Sequence, residues 1–267
     1  MTGSVYLNAL FALLALGSMT WLLSIFKRDV SIVDSIWSLM ILTAASVYLW
    51  HNNAIGNREA LIFLLVLIWA LRLAIYLTWR NWGQPEDYRY QQIRTKYSPY
   101  FAIKSLLIIF VLQAVLAWLI SMPLLTILTN SNSVSLVDTA AIILWFVGMC
   151  FETIADFQLY RFKVNPDNKG KVLDTGLWRY SRHPNYFGEF CIWWGFYLFA
   201  VSSGGWWTII SPLLMTFLLL RFSGVALLEK DIHERRPAYR AYISRTNAFL
   251  PGKPRNPIAT TAKEAGV

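Results

Sequence analysis

The chain has 267 residues, 56% of them hydrophobic and 15% charged, whereas a soluble domain carries about 25% charged residues. That composition excludes an ordinary soluble fold. The formal net charge of +9 raises nucleic-acid binding, but a bilayer protein gathers Lys and Arg on one side for topological reasons, so their distribution decides.

A helix needs about 20 mostly apolar residues to cross the hydrocarbon core. Seven stretches qualify in chain order: Val5–Phe26, Ile32–Trp50, Leu61–Tyr76, Ile103–Leu128, Leu136–Ala155, Phe187–Val201 and Trp206–Leu228. The first has no basic n-region or cleavage-like run before Lys27 and Arg28, so it is expected to be retained as a span. The fourth is long and interrupted by Pro123, and the sixth is short. Two cysteines, Cys150 and Cys191, fall inside spans; neither a disulfide framework nor a zinc site is expected, and no metal is assigned.

With seven spans the loops alternate between two sides. One side collects Lys27 and Arg28, then Arg80, Arg89, Arg94, Lys96 and Lys104, then Arg161, Lys163, Lys169, Lys171, Arg179 and Arg182, and the basic tail. The other has Arg58 as its one basic residue, with polar loops at Thr129–Ser133 and Ser202–Gly205. The positive-inside rule then puts the N-terminus outside and the C-terminus in the cytoplasm. Basic residues split among short loops make no recognition element, so nucleic acid is not an expected partner. The expected fold is all-α and polytopic, a single membrane-embedded domain over 1–267.

An ionised group near the bilayer centre costs about 2.5 to 3.5 kcal/mol on insertion scales, so each one in a span invites a functional hypothesis. The candidates are Asp34, Arg72, Glu152, Asp156, Glu189 and Arg221. Arg72 and Arg221 lie close enough to a cytoplasmic end for snorkelling to account for them equally well. Glu152 and Asp156, four apart on one helix face, predict a nearby cation or a donor-rich ligand, since bare carboxylates there repel. A salt bridge to Arg161 or Lys163 satisfies them as well.

The cytoplasmic connection runs from Arg161 to Tyr186 and returns through Leu177-Trp178-Arg179-Tyr180-Ser181-Arg182-His183-Pro184-Asn185-Tyr186-Phe187-Gly188-Glu189. Arg179, Arg182 and His183 suit phosphates, Asn185 suits an amide or ribose, and Pro184 opens the sixth span. Trp178, Tyr180 and Tyr186 suit stacking on a planar base or anchoring at headgroup level. A second cluster, Glu229-Lys230-Asp231-Ile232-His233-Glu234-Arg235-Arg236 with Tyr239 and Tyr242, also fits an amphipathic helix on anionic lipid. Neither a G-x-G-x-x-G nor a Walker lysine motif occurs, so any nucleotide is held by a non-Rossmann site.

The chain as a whole, and Asp156–Glu189 most specifically, resembles the membrane steroid 5-alpha-reductase-like superfamily, in particular its bacterial DUF1295 branch. Sterol C14 and C7 reductases and isoprenylcysteine carboxyl methyltransferases share the R-H-P-N-Y signature. The resemblance implies a seven-helix fold in a bacterial inner membrane and NADPH held in its cytoplasmic half. Residues 1–104 would then carry the substrate-side helices and 136–267 the cofactor region. Arg72 and Tyr76 look like the cofactor-contacting arginine and tyrosine of the reductases' third helix, and Asp156 like the aspartate of the fifth. Lys163 stands where an arginine often serves the phosphates, and Glu152 where a steroid-reducing relative has an asparagine. Asn185 and Glu189 look like the asparagine and glutamate of the sixth-helix entrance, while Glu229 and His233 fall in the C-terminal wall. Arg179, Tyr180, Arg182, His183 and Tyr186 complete the expected cofactor set.

The reductases also hold a steroid ketone with a glutamine-glutamate pair and a tyrosine. Asp34 is the stand-in for that glutamate and Trp69 occupies the tyrosine's place. Tyr88, within Glu86-Asp87-Tyr88-Arg89-Tyr90, is the nearest other phenol. The expected catalytic set is Asp34, Tyr88 and Glu86. The expected activity is hydride transfer from NADPH to a carbon-carbon double bond conjugated to a ketone in a lipophilic substrate such as a 3-oxo-Δ4 steroid, with membrane lipid as the other partner. Two alternatives stand beside it: an S-adenosylmethionine-dependent methyltransferase of the isoprenylcysteine type, and a lipid-binding membrane protein without catalysis.

Overall fold

The computed structural model describes residues 2–130, 133–222 and 238–255. Helix makes up 79% of it and no strand occurs among the described residues. In hydrocarbon every backbone polar group must be satisfied within its own segment, and a helix does this residue by residue.

The helices are α1 (Thr2–Lys27), α2 (Ile32–Trp50), α3 (Asn57–Asn81), α4 (Tyr88–Lys96), α5 (Phe101–Ser105), α6 (Leu112–Ile120), α7 (Met122–Thr129), α8 (Leu136–Val164), α9 (Pro184–Ser202), α10 (Ile210–Phe217) and α11 (Ala238–Arg245). A π-helical turn, Leu106–Val111, joins α5 to α6 in one rod. Five rods have the length and apolarity to cross a membrane: Gly3–Lys27, Ile32–Trp50, Asn57–Asn81, Phe101–Ile120 and Leu136–Val164. They make this an integral membrane protein.

Several expected spans change. The fourth ends at Ile120, because Pro123 sits in the first turn of a separate helix, α7, where its missing N–H costs nothing. The third and fifth run past their expected ends, so Arg80, Asp156 and Lys163 are helical. α9 has 19 residues but falls outside the five, since Asn185, Glu189 and its Tyr and Trp residues lower its mean hydropathy. Trp206–Arg221 is apolar but short, and residues 223–228 of the expected seventh span lie outside the described residues.

The chain divides into two compact units, 1–142 with 195–214 and 143–194 with 215–267. In the first unit, α1, α2, α3, α6 and α7 pack together, with polar side chains bridging helices as they do where lipid supplies no hydrophobic drive. Tyr6 donates to Trp118 O at 3.0 Å and Trp118 Nε1 returns a bond to Tyr6 O at 2.9 Å. Ser38 donates to Ala70 O at 2.9 Å, and Tyr48 and Ser121 share a 2.7 Å bond. Arg58, at the start of α3, is 4% exposed. Its Nε and Nη2 reach Asp138 at 3.1 and 2.9 Å, and Nη2 also donates to Phe199 O and to Ser202 Oγ at 2.7 Å. One guanidinium thus ties the ends of three helices.

In the second unit α8 and α9 cross with their backbones touching. A Cβ on Gly188 would lie 2.6 Å from Glu152 N and 2.6 Å from Gly148 O, and one on Gly148 would lie 2.6 Å from Gly188 O. Only paired glycines permit that approach. It fixes Glu152 and Asp156 of α8 against the first turns of α9.

Candidate functional site

The first polar cluster belongs to the first unit and starts from the turn between α1 and α2. Asp87 caps α4 by accepting from Arg89 N at 2.9 Å, which sets the phase of a nine-residue helix. Tyr90 and Ile93 then face the apolar cluster of Val30, Val33, Phe101, Ile109 and Phe110. Tyr88, Gln91, Gln92, Thr95 and Lys96 line a shallow outer surface.

That phase brings Tyr90, 7% exposed, to Asp34. Its phenol donates to Asp34 Oδ1 at 2.5 Å. Arg89 Nη2 donates to the other oxygen, Oδ2, at 3.0 Å, while Arg89 Nε holds Asp87 Oδ1 at 3.0 Å. Burial, reinforced by the Asp34 charge, pushes the Tyr90 phenol well above the ordinary tyrosine value, so it stays protonated. Burial alone would lower Arg89, but its bonds and charges from Asp87 and Asp34 raise it. Arg89 is a permanent cation here.

The expected catalytic residues therefore separate. Asp34 sits in this cluster; Tyr88 is 41% exposed on the outer face of α4, and Tyr90 takes the position beside Asp34. Glu86 has another task. It accepts from Val30 N at 2.9 Å and from Arg94 Nη2 and Nε at 2.7 and 2.9 Å. Burial pushes its carboxyl upward, but these bonds outweigh it and hold Glu86 below the ordinary glutamate range. An ionised, fully committed carboxylate is no proton donor; it clamps the loop before α4 to the α1–α2 turn.

Along α3, Arg72 and Arg80 flank Tyr76, their guanidinium carbons 5.8 and 5.7 Å from its ring centre. Spacing of four residues on a helix produces this ladder. Trp69, where the resemblance sets the reductases' tyrosine, is fully buried and meets Trp37 edge-on at 6.5 Å and 82°.

The second cluster lies in the second unit, at the α8–α9 crossing. Glu152, Asp156 and Glu189 are 4, 6 and 6% exposed. Asn185 Nδ2 donates to Asp156 Oδ1 at 3.3 Å, and Trp193 Nε1 to Glu189 Oε1 at 2.9 Å. Asn185 Oδ1 is buried without a hydrogen-bond partner among the described residues. A buried orphan acceptor costs about 1 to 3 kcal/mol. Asn185 Oδ1 is therefore suited to a ligand that carries a hydrogen-bond donor.

The segment leading into α9 has mixed roles. His183 stacks on Tyr186, ring centres 5.4 Å apart and 4° from parallel. Arg182, expected to meet phosphates, is 8% exposed; its Nη1 donates to Thr246 O at 2.5 Å and Ile243 O at 3.3 Å, capping the last carbonyls of α11. Arg182 N bonds Asn247 O and Ser181 Oγ bonds Phe249 O. Tyr242 donates to Trp178 O, and Arg245 pairs with Asp174. Arg182 is thus a strap for the 238–255 segment. Arg179, Tyr180 and Lys163 are exposed. Glu229 and His233 lie outside the described residues.

Hydropathy and spacing missed Tyr90, Trp37 and the Arg58–Asp138 pair. The signal for Tyr90 was present: an Asp87 cap followed by inward positions 90 and 93 is a helix phase, and it excludes Tyr88.

Long apolar rods with buried polar clusters at helix crossings define an α-helical, polytopic integral membrane protein. Residues 20–246 match the family described as "Protein of unknown function (DUF1295)", and the chain belongs to that family. It is also similar, at 27% identity, to a protein of Schizosaccharomyces pombe (strain 972 / ATCC 24843) described as "Uncharacterized protein C594.04c"; the match covers 88% of this chain and 76% of that one. No solved structure matches.

Proposed function

We propose that the chain is a seven-span membrane reductase, its N-terminus outside and its C-terminus in the cytoplasm of a bacterial cell. It uses NADPH to saturate a carbon-carbon double bond conjugated to a ketone in a lipophilic substrate of the 3-oxo-Δ4 steroid type. The observation that carries this reading is the 2.5 Å bond from Tyr90 to Asp34. Enone reduction consumes one hydride and one proton, and a buried phenol kept protonated beside a carboxylate is a proton source that methyl transfer does not need.

NADPH would supply the hydride, which joins the β-carbon as electrons move onto the ketone oxygen. The proton that closes the reaction joins the α-carbon. Tyr90 is the acid for that step, because an enolate is a stronger base than a phenolate. Asp34 and Arg89 orient the phenol, and Asp34 carries a proton back to it between turnovers.

Support for the cofactor comes from Asn185 Oδ1, a buried acceptor with no hydrogen-bond partner among the described residues, which fits a carboxamide N–H or a ribose hydroxyl. Asp156, which accepts from Asn185 Nδ2 at 3.3 Å, would fix the direction of that amide, with Glu152 and Glu189 beside it. Arg179 and Lys163, exposed at the polar ends of their segments, would meet the phosphates.

Detergent-purified protein tests this with NADPH and a panel of enone steroids and prenyl lipids. Oxidation of the nicotinamide in step with a product two hydrogens heavier supports the proposal. Binding of S-adenosylmethionine without binding of NADPH refutes it.

A further inference from the structure

We propose that Trp37 is the residue that grips the substrate's ketone oxygen, through its indole N–H. This rests on the enone-reduction reading above and adds the donor which that reading lacks. Tyr90 has one phenolic hydrogen, which rests on Asp34 and goes to the α-carbon in the reaction, so it does not serve the ketone oxygen. The developing oxyanion needs a hydrogen bond that is not already given elsewhere.

Trp37 Nε1 is that donor. It is buried, with no hydrogen-bond partner among the described residues. Trp37 follows Asp34 by three residues on α2, so both side chains project from one helix face, about 5 to 6 Å apart at Cβ. Its ring is held edge-on by the fully buried Trp69 at 6.5 Å and 82°, so the N–H direction is set before any ligand arrives. An indole N–H buried inside a membrane-spanning helix cannot turn to bulk water, and leaving it unmet is costly. The other buried donors of this kind lack one of these features. Arg58 Nη1 has Glu59 Oε1 3.9 Å away, and Trp145 Nε1 lies on α8 in the other unit.

A ketone oxygen placed on this face would receive the indole hydrogen bond while the Tyr90–Asp34 pair serves the α-carbon, one bond beyond the carbonyl carbon. The preferred ligand consequently carries a ketone oxygen on an apolar body. A hydrocarbon of the same shape would gain nothing from Trp37.

The test is equilibrium binding of cholest-4-en-3-one and of cholest-4-ene, which lacks the ketone, to the full chain in detergent. Wild type, Trp37→Phe and a form with the sulfur isostere benzothienylalanine at position 37 are compared. The isostere removes the N–H while keeping the ring's shape, so it reads the hydrogen bond even where Phe perturbs packing. Wild type should prefer the ketone, and both altered proteins should bind it about tenfold more weakly, the effect of about 1.4 kcal/mol from one hydrogen bond. Cholest-4-ene and NADPH affinities should stay unchanged. Ketone preference retained in both altered proteins overturns the Trp37 assignment and leaves enone reduction standing. No ketone preference in wild type overturns the enone reading, and the assignment falls with it.

Discussion

Tyr90 and Asp34 meet in a 2.5 Å hydrogen bond across 56 positions of sequence, and a short capped helix, not a membrane span, brings them together. In the proposed reaction, replacing Tyr90 by Phe removes the proton source while the ring still fills its place among Val33 and Phe101. The rate of NADPH-dependent enone reduction should fall by roughly 10²- to 10⁴-fold, the range for a general acid. Tyr88→Phe, on the outer face of α4, should leave it near wild type. Equal losses in the two variants would remove Tyr90 from its role.

The glycine crossing of α8 and α9 predicts a steep local effect. Gly188→Ala would set a Cβ 2.6 Å from two backbone atoms, neither of which can rotate away, so the helices must separate. Overpacking of this kind costs about 1 to 3 kcal/mol. Thermal unfolding in detergent should show that loss together with weaker NADPH binding. Gly3→Ala, with nothing within 4 Å of its Cβ, is the matched control and should change neither.

Arg58 and Asp138 form a buried pair whose value lies in its completeness. Arg58→Met alone strands Asp138 and should lower stability by about 3 to 5 kcal/mol, whereas adding Asp138→Leu should recover most of it. Unfolding midpoints of the single and double variants decide. A harmless single variant would show that the pair ties nothing.

Glu86 adds a pH dependence of defined sign. Its folded carboxyl is held below the ordinary value of 4.5, so its contribution is fully present above about that pH and is lost as pH falls through the folded value. Wild type should lose stability on acidification below pH about 4.5 more steeply than Glu86→Gln, which starts less stable at neutral pH. Parallel curves would show that the clamp to Val30 and Arg94 contributes nothing.

Much of the fold was legible because lipid imposes a simple rule: runs such as Ile32–Trp50 must be helices. Interruptions were harder. Pro123 marked a break, but whether it kinks a helix or starts one depends on Ser121 and on the packing of α7. The site was legible where residues four apart share one helix, as with Glu152 and Asp156, or where the R-H-P-N-Y segment concentrates donors. It was not legible where side-chain direction decides. Arg182 reads as a phosphate ligand by type, yet its Nη1 is turned to the carbonyls of Ile243 and Thr246 at the end of α11. Tyr88 and Tyr90 differ by two positions, and only the phase set by Asp87 tells which one turns inward.

The most direct measurement of the central claim is mass analysis of cholest-4-en-3-one after incubation with the purified chain and NADPH. The proposed reduction, with Tyr90 as acid and NADPH bound through Asn185 and Asp156, predicts a saturated ketone two hydrogens heavier, absent with Tyr90→Phe and reduced with Asn185→Ala and Asp156→Ala through weaker NADPH binding. Recovery of unchanged enones across the substrate panel, with NADPH affinity the same in wild type, Asn185→Ala and Asp156→Ala, would contradict it.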